Sequence, residues 1–173
     1  MIRGNLFEIP MWSLPSINFK KKKEQLVKLL KNYPEKRTGI QNFTTNRQSP
    51  RPNLKEAFTN IYEEELGMLV ESVKADVAIE DIWSVSYKKG DYHSPHNHGT
   101  IGYAGILYLD FPEGSQPTNY IQPWQNITSD TTLFNTLPVK EGDIVIVPKF
   151  VNHFSPPHKG KKQKRIISWD MSI

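Results

Sequence analysis

The spacing of apolar residues changes period near residue 77, and that change divides the chain. Before it, Leu26, Leu29, Leu30 and Tyr33 recur at helical spacing, and Pro34 stops the run, which predicts a helix over residues 21–32. Leu54, Phe58, Ile61, Tyr62, Leu66, Leu69, Val70 and Val73 mark the buried face of a second helix, over about residues 53–75, with Asn53 as N-cap. The Thr-, Asn-, Arg- and Pro-rich stretch between them, ending in Ser49–Pro52, reads as a loop. The opening Leu6–Trp12 reads as an edge strand whose pairing Pro10 limits.

After residue 77 the pattern alternates. Trp83, Val85 and Tyr87 share one face, with Ser84 and Ser86 on the other. Further strands are predicted at 101–111, 118–121, 131–134, 143–148 and 165–172, separated by Pro112–Gly114, Pro123, Glu141–Gly142 and Pro156–Pro157. Short strands at near-regular spacing after a helical part predict a mainly β protein with N-terminal helices, a barrel or sandwich buttressed by two helices. Residues 1–173 form one domain in this reading, with 1–76 as helical and loop support and 77–173 as the β core.

Composition narrows the class. Eight Phe, seven Tyr and four Trp argue against disorder. The absence of cysteine rules out disulfides, thiolate nucleophiles and Cys-type zinc sites. No signal peptide or membrane span is legible, so the expected compartment is the cytoplasm, that of the host if the source is viral, and the sequon Asn126–Thr128 is incidental. The net charge of +4 is unevenly spread, with two basic clusters at Lys20–Lys23 and Lys159–Arg165. Both read first as solvated faces, and nucleic-acid contact is the weaker reading.

Three of the five histidines fall in Tyr87–His98, as His93, His96 and His98. Residues i and i+2 of an extended segment face the same way, so His96 and His98 can aim at one point. His153 follows the strand-like Ile144–Val147 and supplies a third imidazole from a distant strand. Neutral imidazole suits iron, zinc, copper and nickel, and these three are the predicted metal ligands. His93 has the wrong parity for that face, and His158 lies in a Pro/Lys/Gly loop. Both are read as solvent-facing or as supporting a ligand. Arg165, at the start of the last strand, is either one more basic residue or a guanidinium fork for a carboxylate, and spacing alone leaves the two open.

Together these residues resemble the 2-oxoglutarate- and Fe(II)-dependent dioxygenases, in particular their prolyl-hydroxylase-like branch. Tyr87-Lys-Lys-Gly90, Tyr92 and Pro95-His96-Asn97-His98 follow the pattern around the first ligands; Gly105–Asp110 resembles the next strand, and Val139–Pro148 the strand leading to the distal histidine. His153, Arg165 and Ser168-Trp169 follow the closing pattern in order, so the resemblance covers residues 80–173. Small uncharacterised oxygenase-like proteins of marine bacteria and phages share the Pro-His-x-His spelling. The resemblance implies a double-stranded β-helix, a jelly-roll or cupin-like barrel with the metal between facing sheets. It implies Fe(II) at His96, His98 and His153, and 2-oxoglutarate as co-substrate with its far carboxylate on Arg165. Tyr87 would give that carboxylate a second hydrogen bond, and Ser168 belongs to the same closing pattern. It further implies use of O2 to oxidise an unactivated C–H bond. The departure is His98, which stands where the family has a carboxylate ligand.

Cupins are a second resemblance. Gly90, His96 and His98 fit their first motif, and Gly142, Pro148 and His153 partly fit their second, but no glutamate follows His98 at the expected spacing and Phe150 replaces a glycine. That reading gives a three-histidine metalloprotein without 2-oxoglutarate. A third is a non-catalytic metal- or ligand-binding β-barrel. The prime substrate and oligomeric state are not legible.

Overall fold

The computed structural model describes residues 8–39, 42–125 and 129–172. In chain order the elements are β1 (Trp12–Pro15), α1 (Phe19–Leu30), β2 (Lys36–Arg37), β3 (Thr44–Thr45), α2 (Leu54–Ile61), α3 (Glu63–Val73), β4 (Ala78–Tyr87), β5 (His93–His96), β6 (Tyr103–Asp110), β7 (Asn119–Ile121), β8 (Phe134–Thr136), β9 (Asp143–Pro148), β10 (His153–Ser155) and β11 (Lys164–Ser172). They form a seven-stranded sheet, β1-β9-β6-β11-β4-β3-β2, and a four-stranded sheet, β5-β10-β7-β8. The strand pairings are antiparallel.

Strand alternation gives the large sheet two apolar faces. On β11, Ile167, Trp169 and Met171 join Leu26 and Leu30 of α1, Leu54 and Phe58 of α2 and Leu69 of α3 in the outer core. Ile166 instead joins Trp83, Val85, Tyr87, Ile106 and Tyr108 in the inner core, which also takes Tyr120 from the small sheet. Each fully buried side chain of this size contributes roughly 1.5–3 kcal/mol of transfer free energy. Trp169 lies across its neighbour strand because Gly105 is its register partner; a Cβ on Gly105 would lie 2.1 Å from the indole. Glu65 of α3 is buried and ties the helices to the sheet edge. It accepts from Lys22 Nζ (2.6 Å), Ser16 Oγ (3.1 Å) and the Ile17 amide (2.8 Å).

The expected double-stranded β-helix, closed as a jelly-roll or cupin-like barrel, is corrected by this topology. Both sheets are open, ending at β1 and β2 in one and at β5 and β8 in the other. Closure needs a partner at every edge. Here β1 has four residues and ends in Pro15, while β2 has only two. The mainly β architecture with N-terminal helices holds.

Local expectations also shift. The helix expected at 53–75 is two, interrupted at Tyr62, and the Asn53 side chain makes no capping hydrogen bond. The stretch read as a loop carries β2 and β3, and Thr44 and Thr45 pair with Ser86 and Val85 of β4. Two-residue strands are too short to show a period; pairing with a long neighbour creates them. The strand expected at 131–134 lies at Phe134–Thr136, and the opening edge strand at Trp12–Pro15. Residues 1–7 of that opening and the sequon lie outside the described residues. Lys22 and Lys23, expected on a solvated face, are ion-paired, Lys22 with Glu65 and Lys23 with Asp110 and Glu141. Among the described residues no helix is long and apolar enough to cross a membrane.

Candidate metal centre

β5 and β10 pair at the end of the small sheet. β10 begins at His153 and stops before Pro156, and its register sets His153 directly opposite His96. His98 lies just past β5, where its amide donates to the Lys149 carbonyl at 2.9 Å and keeps the segment against the end of β9. The imidazoles of His96, His98 and His153 converge from these positions. One ligand atom from each lies within 4.8 Å of the others.

Hydrogen bonds set which ring nitrogen is free. His96 Nδ1 bonds the Ser94 carbonyl at 2.8 Å, His153 Nδ1 the Val151 carbonyl at 2.9 Å, and His98 Nδ1 the Asp170 carboxylate at 2.5 Å. Carbonyl and carboxylate oxygens only accept, so each Nδ1 carries a proton, and a neutral ring bonded in this way has its lone pair on Nε2. Burial, then the neighbouring His96, holds His153 down to about 3. Burial likewise lowers His96. Neutral rings with Nε2 lone pairs are the form that binds a divalent metal, and the donor set therefore fits one.

The residues around the imidazoles come mainly from the inner face of the large sheet. Tyr87 and Ser168 line the same cavity as the three histidines, together with Trp83, Ser155 and Ile166. Arg165 does not. Alternation along β11 turns it outward, where its Nε lies 3.6 Å from Asp110 and its side chain is 30% exposed. Ser168 and Arg165 are an odd number of residues apart, so a regular strand cannot turn both to one cavity. Lys164 has the parity of Ile166 and Ser168.

Lys164 is fully buried, and its Nζ donates to Ser155 Oγ at 2.7 Å and to the Gln116 carbonyl at 2.9 Å. It also stands 4.4 Å from the centroid of the Tyr87 ring. No carboxylate among the described residues pairs with it, and burial alone drives it down to about 7. Burial pushes the Tyr87 phenol up, against the Ser155 hydroxyl. The sequence reading missed Lys164 among its basic neighbours, although the parity shared with Ser168 was a usable signal.

His93 departs from the parity expected of it, and His158 from a solvent-facing position. A bulge between β5 and β10 cancels the parity argument, so the His93 ring stacks on His96 with centroids 3.8 Å apart. His158 is buried, with Nε2 bonded to the Lys162 carbonyl at 2.7 Å, and serves the β10–β11 loop. Arg47, unremarked in the sequence, lies 4.0 Å over the Trp83 ring and lines the cavity while 46% exposed. Arg51 holds the Arg47 loop in place through the Asn46, Arg47 and Ser49 carbonyls. A wider apolar groove, about 290 Å3, runs past Met11, Tyr120 and Trp124. It is larger than the histidine cavity but holds none of the candidate ligands. Tyr120, on the wall of this groove, has its ring 5.9 Å from that of His153.

No curated protein sequence matches the chain. In fold it is similar to an oxidoreductase of the 2OG-Fe(II) oxygenase family from Burkholderia pseudomallei (TM-score 0.72, 10% identity, 94% of this chain and 84% of that one). It is likewise similar to HygX from Streptomyces hygroscopicus with nickel, 2-oxoglutarate and hygromycin B bound (0.68, 9%, 95% and 83%). A third is the viral collagen prolyl hydroxylase of Paramecium Bursaria Chlorella virus-1 in its 2OG complex (0.61, 16%, 94% and 96%). At these identities the likeness is one of fold. Residues 81–170, more than half of the chain, match the family model described as "Putative 2OG-Fe(II) oxygenase". The chain belongs to that 2OG-Fe(II) oxygenase family.

Proposed function

We propose that the protein is a 2-oxoglutarate-dependent oxygenase that hydroxylates its substrate, with His96, His98 and His153 holding Fe(II) through Nε2. The observation that carries the co-substrate is Lys164, a buried lysine without an acid, on the same side of β11 as Ser168 and against Tyr87 and Ser155. A buried amine with two of its N–H groups engaged has a third to offer an anion. In this reading Lys164, and not Arg165, receives the far carboxylate of 2-oxoglutarate, with the Tyr87 hydroxyl beside it. Ser168 lines the path between that carboxylate and the histidines. The cavity is small, about 30 Å3, so the half-exposed Arg47 swings aside when the co-substrate enters.

Iron, when bound, supplies the activation of O2. The four electrons that O2 takes come in two pairs, one from oxidative decarboxylation of 2-oxoglutarate to succinate and CO2, the other from the substrate C–H bond. One oxygen atom ends in succinate and one in the new hydroxyl. The chain's part is to orient and to exclude water: Trp83, Val85, Ile106 and Ile166 wall the cavity with apolar surface, and the Nδ1 bonds fix the imidazoles.

The test is anaerobic calorimetric titration of Fe(II), then 2-oxoglutarate, followed by succinate detection in air. Micromolar uptake of 2-oxoglutarate by the metal-loaded protein is expected. Metal binding without 2-oxoglutarate uptake would sink the proposal.

A further inference from the structure

Three neutral imidazoles leave a divalent ion with its whole double charge between two sheets, where charge is costly to bury. None of the residues lining the cavity is a carboxylate. The nearest acid is one step back. Asp170, on the cavity side of β11, meets His98 Nδ1 at 2.5 Å, and the two side chains are 12% and 3% exposed. His98 differs from the other two in this, since His96 and His153 give their Nδ1 protons to neutral backbone carbonyls. His98 also occupies the place where the family resemblance expects a carboxylate.

Resting on the metal-centre reading above, we propose that Asp170 is a positioning residue for the metal and, through His98, supplies the negative charge that a carboxylate ligand would supply directly. A carboxylate on Nδ1–H polarises the imidazole and makes Nε2 a stronger donor. It also fixes the ring, which is held on its face by Trp83 at 5.6 Å between centroids. Arg47 offsets this charge only in part: its Nη2 stands 3.7 Å from the other Asp170 oxygen, an ion pair longer than a hydrogen bond, and the guanidinium is partly in water.

The experiment is calorimetric titration of Mn(II) into the full chain and its variants, with folding checked by circular dichroism. Asp170→Asn keeps the shape and an acceptor for Nδ1–H but removes the charge, and Mn(II) affinity should fall about 10–100-fold. His98→Asp places a carboxylate in the ligand position itself. In that background Asp170→Asn should cost nothing or improve binding, because the two carboxylates otherwise face each other. Equal losses in both backgrounds would assign Asp170 to the scaffold and overturn the inference. Should His98→Asp not fold, Asp170→Glu decides: it keeps the charge, and binding no tighter than that of Asp170→Asn overturns the inference. Failure of the parent protein to bind Mn(II) would instead overturn the metal centre itself; parent binding with an unchanged Asp170→Asn affinity removes this inference alone.

Discussion

Lys164→Met is the most informative single perturbation, because it separates stability from co-substrate binding. Methionine keeps the length of the stem and removes the ammonium, leaving Ser155 Oγ and the Gln116 carbonyl without their donor. Burial holds the folded lysine at about 7 against 10.5 for the free side chain. Between those values the unfolded chain binds the extra proton, so stability of the unliganded parent rises with pH from about 7 to about 10.5. Below about 7 the folded protein bears the full cost of a buried charge, a few kcal/mol set against two lost hydrogen bonds of about 1 kcal/mol each. At pH 6.5 Lys164→Met should therefore be at least as stable as the parent. Binding should move the other way. A charge-assisted hydrogen bond to a carboxylate is worth about 1.5–3 kcal/mol, or roughly tenfold to a hundredfold and more in affinity. Because the anion selects the protonated amine, parent affinity for 2-oxoglutarate should fall about tenfold per pH unit above about 7, while that of Lys164→Met stays flat. Calorimetry of the Mn(II)-loaded proteins from pH 6 to 9 reads both, with urea unfolding alongside. A variant that binds 2-oxoglutarate as tightly as the parent at pH 6.5 refutes the reasoning.

Arg165→Ala should leave 2-oxoglutarate affinity within about twofold, since its partner is the half-exposed Asp110 and surface pairs are worth little; a tenfold loss in the same titration would restore Arg165 to the site. Gly105→Ala forces Trp169 out of its place over β6 and should cost about 1–3 kcal/mol or more in urea unfolding, and a change below 0.5 would mean that the indole moves freely. Glu65→Gln breaks a buried ion pair and should cost about 3 kcal/mol without changing Mn(II) affinity. A parent-like denaturation midpoint would show that Lys22 simply turns to water. Tyr87→Phe should weaken 2-oxoglutarate about tenfold or more, the worth of one hydrogen bond to a carboxylate, and an unchanged Kd removes its hydroxyl from the site.

Periodicity alone determined most of the elements. The helical spacing of Leu26 to Tyr33 and the alternation of Trp83, Val85 and Tyr87 express which face is buried, a property of each segment by itself. Pro34 and the turn residues mark ends for equally local reasons. The meeting of His96 and His98 was legible because residues two apart in an extended segment share a side. Tertiary structure decided the rest. The strands β2, β3 and β10 exist only through pairing with neighbours, and closure into a barrel failed at edges that no single segment defines. A bulge brought His93 onto His96 against its parity. Asp170 is 72 residues from the histidine it supports. Lys164 and Arg165 are the sharpest case: adjacent cations that composition cannot rank. One is buried beside Tyr87 and the other lies on the opposite face beside Asp110, because a strand sends neighbouring side chains to opposite faces and only the packed sheet decides which face is the site.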